Sequence, residues 1–404
     1  METQPVQPSE RIISLDVLRG FAILGILIMN IQSFSMIGAA YLNPTAYGDF
    51  TGANKWVWII SHLFADMKFM TIFSILFGAG IVLFTRRLKA KGIHSLAIHY
   101  QRTFWLLVIG LAHAYLLWYG DILVVYAISA LWVVLLRNKK PRTLLIIGLI
   151  VISVASILYL MTGFSLPFMD EAQKEEIMNG WLPNAGLIQQ EIEAYRGSWM
   201  EQMEQRIPEA IAMQTFIFFI QTGWRAGGLM LVGMALYKWG ILSAEKSSSF
   251  YWKMVVVGFL IGFAVVGYGV ILNFENDFSM EYSFFTGSQF NYWGSLMVSL
   301  GYIGLVMLFV KSGVLKILKK SLQAVGQMAL TNYLIQTIIC TTLFYGHGFG
   351  LYGKLDREEQ IIIVFAVWIF QLIISPVWLK YFKYGPFEWL WRSLTYWRLQ
   401  SMKR

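Results

Sequence analysis

Ten stretches of this chain each approach the roughly 20 residues that an apolar α-helix needs to cross a bilayer. They cover residues 16–35, 67–85, 103–119, 121–137, 143–162, 211–237, 251–273, 289–310, 322–345 and 360–379. This pattern predicts an all-α fold, a polytopic membrane bundle of about ten transmembrane helices. Composition agrees. Of 404 residues, 57% are hydrophobic and only 14% are charged, against about 25% charged in a soluble globular protein. Sixteen Trp, 20 Tyr and 29 Phe suit a chain whose amphipathic rings sit at lipid headgroups.

The connecting segments predict an orientation. With the N-terminus inside, the inner segments are 1–15, 86–102, 138–142, 238–250, 311–321 and 380–404. Together with Arg137 and Lys253 they hold 23 of the 32 Lys and Arg. Arg19 and Arg225 lie within spans, and seven basic residues are left for the outer side. The positive-inside rule therefore puts both termini in the cytosol. It also accounts for the net charge of +9 without nucleic acid, whose binding needs a clustered basic face with stacking aromatics. The N-terminal METQPVQPSER lacks the lysines of a signal peptide, so the first span reads as a retained helix. Cys340 is the single cysteine, and no disulfide can form within the chain.

Residues 1–404 read as one integral membrane domain with three special segments. Residues 53–66 are amphipathic and are expected to lie along the interface before the second span. Residues 163–210 form the one long loop, with Pro167, Pro183 and Pro208. Such loops are lids, binding elements or disordered linkers, and Trp181, Tyr195 and Trp199 favour order here. It is expected on the outer side. Residues 380–404, aromatic and basic, are expected to lie as a tail on the inner surface, where anionic lipids attract them.

Ionisable groups inside a span are costly and mark functional candidates. Asp16 and Arg19, three apart, share a helix face and can pair, and Gly20 permits close approach. A capped helix start with a snorkelling arginine explains the same residues. Asn30 follows Arg19 by about three turns, some 16 Å along the axis, and returns to nearly the same face. It either serves a site or bonds a neighbouring helix. His113 is the one histidine in the middle of a span. Beside Asp121 it could be a general base with an orienting partner, or a satisfied buried histidine. Gly120 suggests a tight turn that aims Asp121 back toward a cavity. Arg225, flanked by glycines, suits a broken helix near a site or a buried ion pair. Asn332 and Gln336, four apart with Tyr333 between them, line a cavity or glue helices. The sequence holds no phosphate-binding loop, no GxSxG, no HExxH and no metal-ligand spacing.

Four stretches carry a resemblance that spans residues 14 to 396. They are SLDVLRGFAILGILIMNIQSF, HAYLLWYGDILVVYAI, GQMALTNYLIQT and GPFEWLWRSLTY. Together they resemble the YeiB family of bacterial membrane proteins, which is largely of unknown function. The opening LDxLRG, with a polar residue eleven after the arginine, is similar to the wider transmembrane acyltransferase superfamily. That superfamily includes the lysosomal heparan-glucosaminide N-acetyltransferase and bacterial sugar O-acyltransferases. The resemblance implies an acyltransferase-like fold in the bacterial cytoplasmic membrane. It implies acyl-CoA as cytosolic co-substrate rather than a permanently bound cofactor, and an envelope or small-molecule acceptor outside. Carried over, Arg19 lies toward the donor and Asn30 at the transfer point. The O-acyltransferases have a catalytic histidine where this chain has Asn30. The N-acetyltransferase keeps an Asn there and places its histidine eleven residues further on, where this chain has Tyr41.

The leading expectation is transfer of an acyl group from acyl-CoA to an acceptor at the outer side. His113, Asp121 and Asn30 are the catalytic candidates, and Asp16, Arg19 and Arg225 the candidates for holding the donor. Asn332, Tyr333 and Gln336 are the cavity-lining candidates. A small-molecule transporter or exporter, and a lipid- or quinone-binding protein, are the alternatives, and a homodimer is compatible with any of the three.

Overall fold

All ten apolar stretches are helical in the computed structural model, which describes residues 11–404. Residues 1–10 of the first inner segment lie outside the described residues. The helices in chain order are α1 (Ile13–Ser35), α2 (Gly38–Leu42), α3 (Gly52–Phe64), α4 (Lys68–Ala90), α5 (Ser95–Leu116), α6 (Leu123–Val133) and α7 (Pro141–Ser165). They continue with α8 (Glu171–Trp181), α9 (Ala185–Arg196), α10 (Trp199–Gln214), α11 (Gly223–Lys238), α12 (Ser248–Glu275) and α13 (Ser288–Lys311). The last four are α14 (Lys316–Gln327), α15 (Ala329–Phe344), α16 (Arg357–Tyr381) and α17 (Pro386–Thr395).

Among the described residues, seven helical segments are long and apolar enough to cross a membrane: Ile13–Ser35, Gly52–Ala90, Pro141–Phe168, Trp199–Lys238, Ser248–Glu275, Met280–Lys311 and Arg357–Tyr381. Leu123–Leu136 and Ala329–Phe344 are apolar but shorter. α5 is long but opens on His99, Gln101 and Arg102. The three weaker spans are the ones that build the candidate site.

The bundle has two chemically distinct ends. The segments around 86–102, 137–142, 238–247, 311–320 and 380–404 gather at one of them, tied by contacts such as Lys238 Nζ to the Lys139 carbonyl (2.6 Å). Lys311 Nζ donates to the Lys246 carbonyl (2.9 Å), and Ser14 Oγ to the Leu242 carbonyl (2.8 Å). We term this the basic end. The cap end carries residues 163–210, which form three helices instead of a loop. Each starts on a side-chain cap, Asp170 for α8, Asn184 for α9 and a Ser198–Glu201 capping box for α10, satisfying N–H groups that the first turn leaves orphaned. α10 then runs on toward α11 through a stretch of π-helix (Phe218–Thr222). The three helices dock over the ends of α1 and α5. Glu191 accepts from the Gly38 N–H (2.8 Å) and the Tyr352 hydroxyl (2.7 Å). Buried Arg206 donates to the Leu116 carbonyl (2.8 Å).

One sequence expectation changes. Residues 53–66 do not lie across the bundle. Lys55 sits over the Phe274 ring, and Phe64 packs on Phe263 (4.8 Å between centroids). α3 therefore descends alongside α12 to about its middle. The chain then breaks at Met67, in the left-handed region (φ 62°), before α4 begins. Lys68, counted among the outer basic residues, lies at that break and is fully buried. Its ammonium donates to Asn291 Oδ1 (2.5 Å) and the His62 carbonyl (2.6 Å), so the buried charge is met by hydrogen-bond acceptors inside the bundle.

Within the tail, α17 packs one face against α5 and α15. Trp391 Nε1 donates to the Arg102 carbonyl (2.8 Å). Glu388 accepts from the Leu330 and Thr331 N–H groups (2.7 and 3.1 Å) and from the Thr331 hydroxyl (2.6 Å). These are orphan donors of the first turn of α15, and a carboxylate there also meets the positive end of the helix dipole.

Candidate functional site

A cavity of about 300 Å³ opens at the basic end, between α1, α4, α5, α15 and α17. Its mouth carries six cationic side chains: Arg11, Arg19, Arg87, Lys91, Arg102 and Arg392. The throat is apolar, with Ile23, Ile26, Leu76, Phe77 and Leu106 among its walls. Ile122, Tyr126 and Tyr333 also line it.

Helix 1 supplies one wall because its lining residues recur at helical spacing. Leu15, Asp16, Arg19, Ile23 and Ile26 fall on one stripe. The predicted pair is present: Arg19 NH1 lies 2.9 Å from Asp16 Oδ1, and Arg11 NH1 3.5 Å from Asp16 Oδ2. α1 approaches α14 closely here. A Cβ on Gly20 would run into the Leu322 carbonyl oxygen, and one on Gly326 into the Asp16 carbonyl oxygen. Only glycines let the two backbones meet at the mouth.

Two of the other cations are held in place by aromatic rings. The Arg102 guanidinium sits over Phe84 (4.8 Å) and Trp391 (4.3 Å), and that of Arg392 over Tyr384 (4.6 Å). Burial raises the Glu388 carboxyl above the ordinary glutamate value, against the pull of its bonds to Thr331 and Leu330. From sequence alone α17 has no visible part in this site. Arg102 and Arg392 belonged to segments whose charge reads as topology.

At its far end the cavity stops against Tyr333, whose ring packs on the His113 imidazole (5.0 Å between centroids). His113 and Asp121 stand behind that ring, 2% and 5% exposed. His113 Nδ1 lies 2.8 Å from Asp121 Oδ1, and the second oxygen of Asp121 accepts the Val124 N–H (2.7 Å) at the start of α6. The expected pair is therefore formed. Gly120 does not supply a left-handed turn. It leaves room for the Trp118 indole, which a Cβ would strike. The other imidazole nitrogen, Nε2, is also engaged, 2.9 Å from Thr337 Oγ1. Thr337 reads in sequence as one more threonine of a polar helix, and its partner is 224 residues away.

The remaining candidates divide. Tyr333 lines the cavity, but Asn332 and Gln336 do not. Asn332 Nδ2 donates to the Val325 carbonyl and Ser375 Oγ (both 3.1 Å). Gln336 Nε2 donates to the Ile23 carbonyl (3.1 Å) and Gln371 Oε1 (2.9 Å). Both tie α15 to its neighbours. Arg225 is not at the cavity. Its guanidinium donates to the Tyr292 carbonyl (2.9 Å), Ser295 Oγ (2.8 Å) and Thr71 Oγ1 (3.1 Å), over the Tyr292 ring. Asn30 continues the helix 1 stripe one turn past Ile26, half-buried and with no side-chain hydrogen bond among the described residues.

A second polar cluster surrounds the break between α3 and α4. Asp66 accepts from Asn291 Nδ2 (2.7 Å) and lies 3.1 Å from His62 Nδ1. His62 and Asp66, four apart in one polar turn, were legible as a pair but stood in a segment assigned to the interface. Among the described residues no group of three or more His, Cys, Asp or Glu is placed to hold a metal ion.

Fold and site define a polytopic helical membrane protein with a basic-mouthed cavity that ends against a buried His–Asp pair. The chain belongs to the YeiB family. It is 33% identical to the uncharacterized protein YeiB of Escherichia coli (strain K12), over 96% of each chain. It is 35% identical to the uncharacterized protein YxaH of Bacillus subtilis (strain 168), over 97% of this chain and 96% of that one. Residues 236–398 match the family model described as "Protein of unknown function (DUF418)". No solved structure matches.

Proposed function

We propose that the protein moves an acyl group from acyl-CoA at the basic end to a hydroxyl or amine acceptor that arrives from the cap end. The observation that carries this reading is the cavity: six cations at the mouth, an apolar throat and a His–Asp pair behind the end wall. Coenzyme A is a polyanion on a thin, extended arm, and an acyl chain prolongs that arm with apolar surface. Arg19, set by Asp16, together with Arg102 and Arg392, pairs with its phosphates through charge-assisted hydrogen bonds. The arm occupies the throat and brings the thioester toward Tyr333. His113 serves as base and Asp121 holds its tautomer. The unbonded amide of Asn30 is the donor for the oxyanion. Arg225 has no part in donor binding, because its guanidinium is engaged elsewhere. The excess of Lys and Arg supports a topology in which the basic end faces the cytosol across the bacterial cytoplasmic membrane. The helices of 163–210 then cover the outer side, where the acceptor enters.

The test is binding of acetyl-CoA and a long-chain acyl-CoA to the purified protein in detergent. Saturable binding is expected, weakened about 10- to 100-fold in Arg19→Ala or Arg102→Ala, as loss of a charge-assisted bond worth about 1.5–3 kcal/mol implies. Folded protein that binds neither ligand overturns the proposal.

One observation favours a transporter instead. The break at Asp66–Lys68 lies alongside the middle of α12, among buried charges, and interrupted helices with charged midpoints form substrate sites in secondary transporters. Counterflow of a small solute into proteoliposomes, with no CoA binding, is the outcome that moves this reading ahead.

A further inference from the structure

We infer that Thr337 is the first acceptor of the acyl group, a nucleophile activated by His113 and Asp121; this rests on the acyl-CoA reading. The argument begins with protons. Asp121 offers Oδ1 to His113 Nδ1 at 2.8 Å and Oδ2 to the Val124 N–H at 2.7 Å. An ionised carboxylate only accepts, so Nδ1 carries the imidazole proton. A neutral imidazole has one N–H, which leaves Nε2 as a bare lone pair. Thr337 Oγ1, 2.9 Å away, is then the donor in that bond. The competing acceptor for its proton, the Tyr333 carbonyl, lies at 3.4 Å. Hydroxyl, imidazole and carboxylate stand in the order and at the separations of a nucleophile–base–orienter triad. All three residues are within 5% of full burial.

The cavity supplies the second argument. It opens at the basic end and on α15 reaches no further than Tyr333, while His113, Asp121 and Thr337 do not line it, so a donor in the throat is kept apart from an acceptor at the cap end. Thr337 follows Tyr333 by one turn of α15, about 6 Å toward the cap end. A group bound covalently there is handed from one side to the other while each side reacts in turn. Access from the throat requires the Tyr333 ring to swing aside. Among the described residues its hydroxyl is held only by a long bond from the Ile122 N–H (3.4 Å).

The chemistry balances without another reactant. Thr337 Oγ attacks the thioester carbonyl and its proton passes to His113 Nε2. The carbon–sulfur bond breaks, the thiolate takes that proton, and CoA leaves as the free thiol. An ester on Thr337 remains. The acceptor then attacks the ester, gives its proton to His113, and His113 returns it to the threonine oxygen.

The experiment uses the full-length protein in detergent with radiolabelled acetyl-CoA and no acceptor, and measures CoA binding on the same preparation. The expected result is an SDS-stable label approaching one acetyl per chain, released by mild alkali and mapped to Thr337. Thr337→Val abolishes it, Thr337→Ser retains it, and His113→Gln reduces it at least 100-fold. CoA binding without label, or label that persists in Thr337→Val, overturns the nucleophile and leaves the acyl-CoA reading standing. No CoA binding by folded protein overturns both.

Discussion

Asp121 makes two hydrogen bonds with different meanings, and two substitutions separate them. In Asp121→Asn the amide can still accept the Val124 N–H through its oxygen and place its NH2 opposite His113 Nδ1. The bond count is kept, and only the extra strength of charge assistance is lost, about 1 kcal/mol. The proton pattern inverts, however. An amide donor facing Nδ1 forces the imidazole proton onto Nε2, where it points at Thr337 and ends the base function. A His–Asp pair with the wrong tautomer loses about 10⁴-fold in rate in serine proteases, and a similar loss is expected here. In Asp121→Ala, by contrast, the Val124 N–H and His113 Nδ1 both lose a partner inside a buried site. Each orphan costs about 1–3 kcal/mol, so the variant is expected to be about 2–6 kcal/mol less stable. The assay pairs thermal unfolding in detergent, followed by tryptophan fluorescence, with single-turnover release of CoA from acyl-CoA. Asp121→Asn should melt near wild type and be nearly inactive, whereas Asp121→Ala should fail on both counts. Asp121→Asn with wild-type turnover would falsify the tautomer argument. Equal destabilisation in the two variants would show that the carboxylate holds the fold by its charge alone.

Three further outcomes follow from packing and charge. Gly326→Ala drives a methyl into the Asp16 carbonyl oxygen; backbone cannot yield as a side chain can, so a loss at the upper end of the usual 1–3 kcal/mol for overpacking is expected, and an unchanged melting temperature refutes the close crossing of α1 and α14. Lys68→Met leaves Asn291 Oδ1 and the His62 carbonyl without their ammonium partner and should cost about 2–6 kcal/mol, at about 1–3 for each orphaned group. Arg225→Met should cost less, because Thr71 and Ser295 keep bonds within their own helices; a ranking of melting temperatures in the opposite order refutes this account. Burial raises the Glu191 carboxyl, against its bonds to Tyr352 and Gly38, so the folded cap holds that proton to higher pH than the unfolded chain. Its contribution to stability is present below the ordinary glutamate value and is lost as pH rises through the raised one; Glu191→Gln should reduce that slope in a melting series run upward from about pH 4, the remainder belonging to Glu209, which burial pushes up to about 8, and an unchanged slope refutes it.

The helices were legible because length and hydropathy are local properties, and Asp16 with Arg19 was legible because three residues on a helix is a fixed geometry. His113 and Asp121 stood out by the cost of burying them. What stayed hidden depends on partners far along the chain. Thr337 is one of several threonines in α15 until α5 brings an imidazole to it. Glu388 looks like a charge on an amphipathic tail until α15 offers its first N–H groups. Residues 53–66 carry an amphipathic pattern that suits either a membrane surface or the side of a bundle, and only α12 decides between them. Asn332 and Gln336 share a face with each other but not with Tyr333, one position away from Asn332. That 100° difference separates helix contact from cavity wall.

The arrangement of charge at the mouth bears on what the cavity can hold. Asp16 lies near both Arg11 and Arg19, so one carboxylate serves two guanidinium groups. Glu388, the other acid in the wall, is turned to the first turn of α15. Neither acid forms an ion pair with Arg102 or Arg392, and both of those are fixed over aromatic rings. A mouth with surplus positive charge on side chains already ordered loses little entropy when it takes up an anion. That favours a ligand with several phosphates over a neutral lipid or quinone. The apolar throat behind favours a ligand whose other end is not charged. A phosphate-bearing head on an apolar arm meets both conditions. The wall at Tyr333 adds a third, because it stops the arm within reach of a base without giving the head a way through. A transported solute would need that wall to open for its whole width, whereas a transferred acyl group needs only one ring to turn.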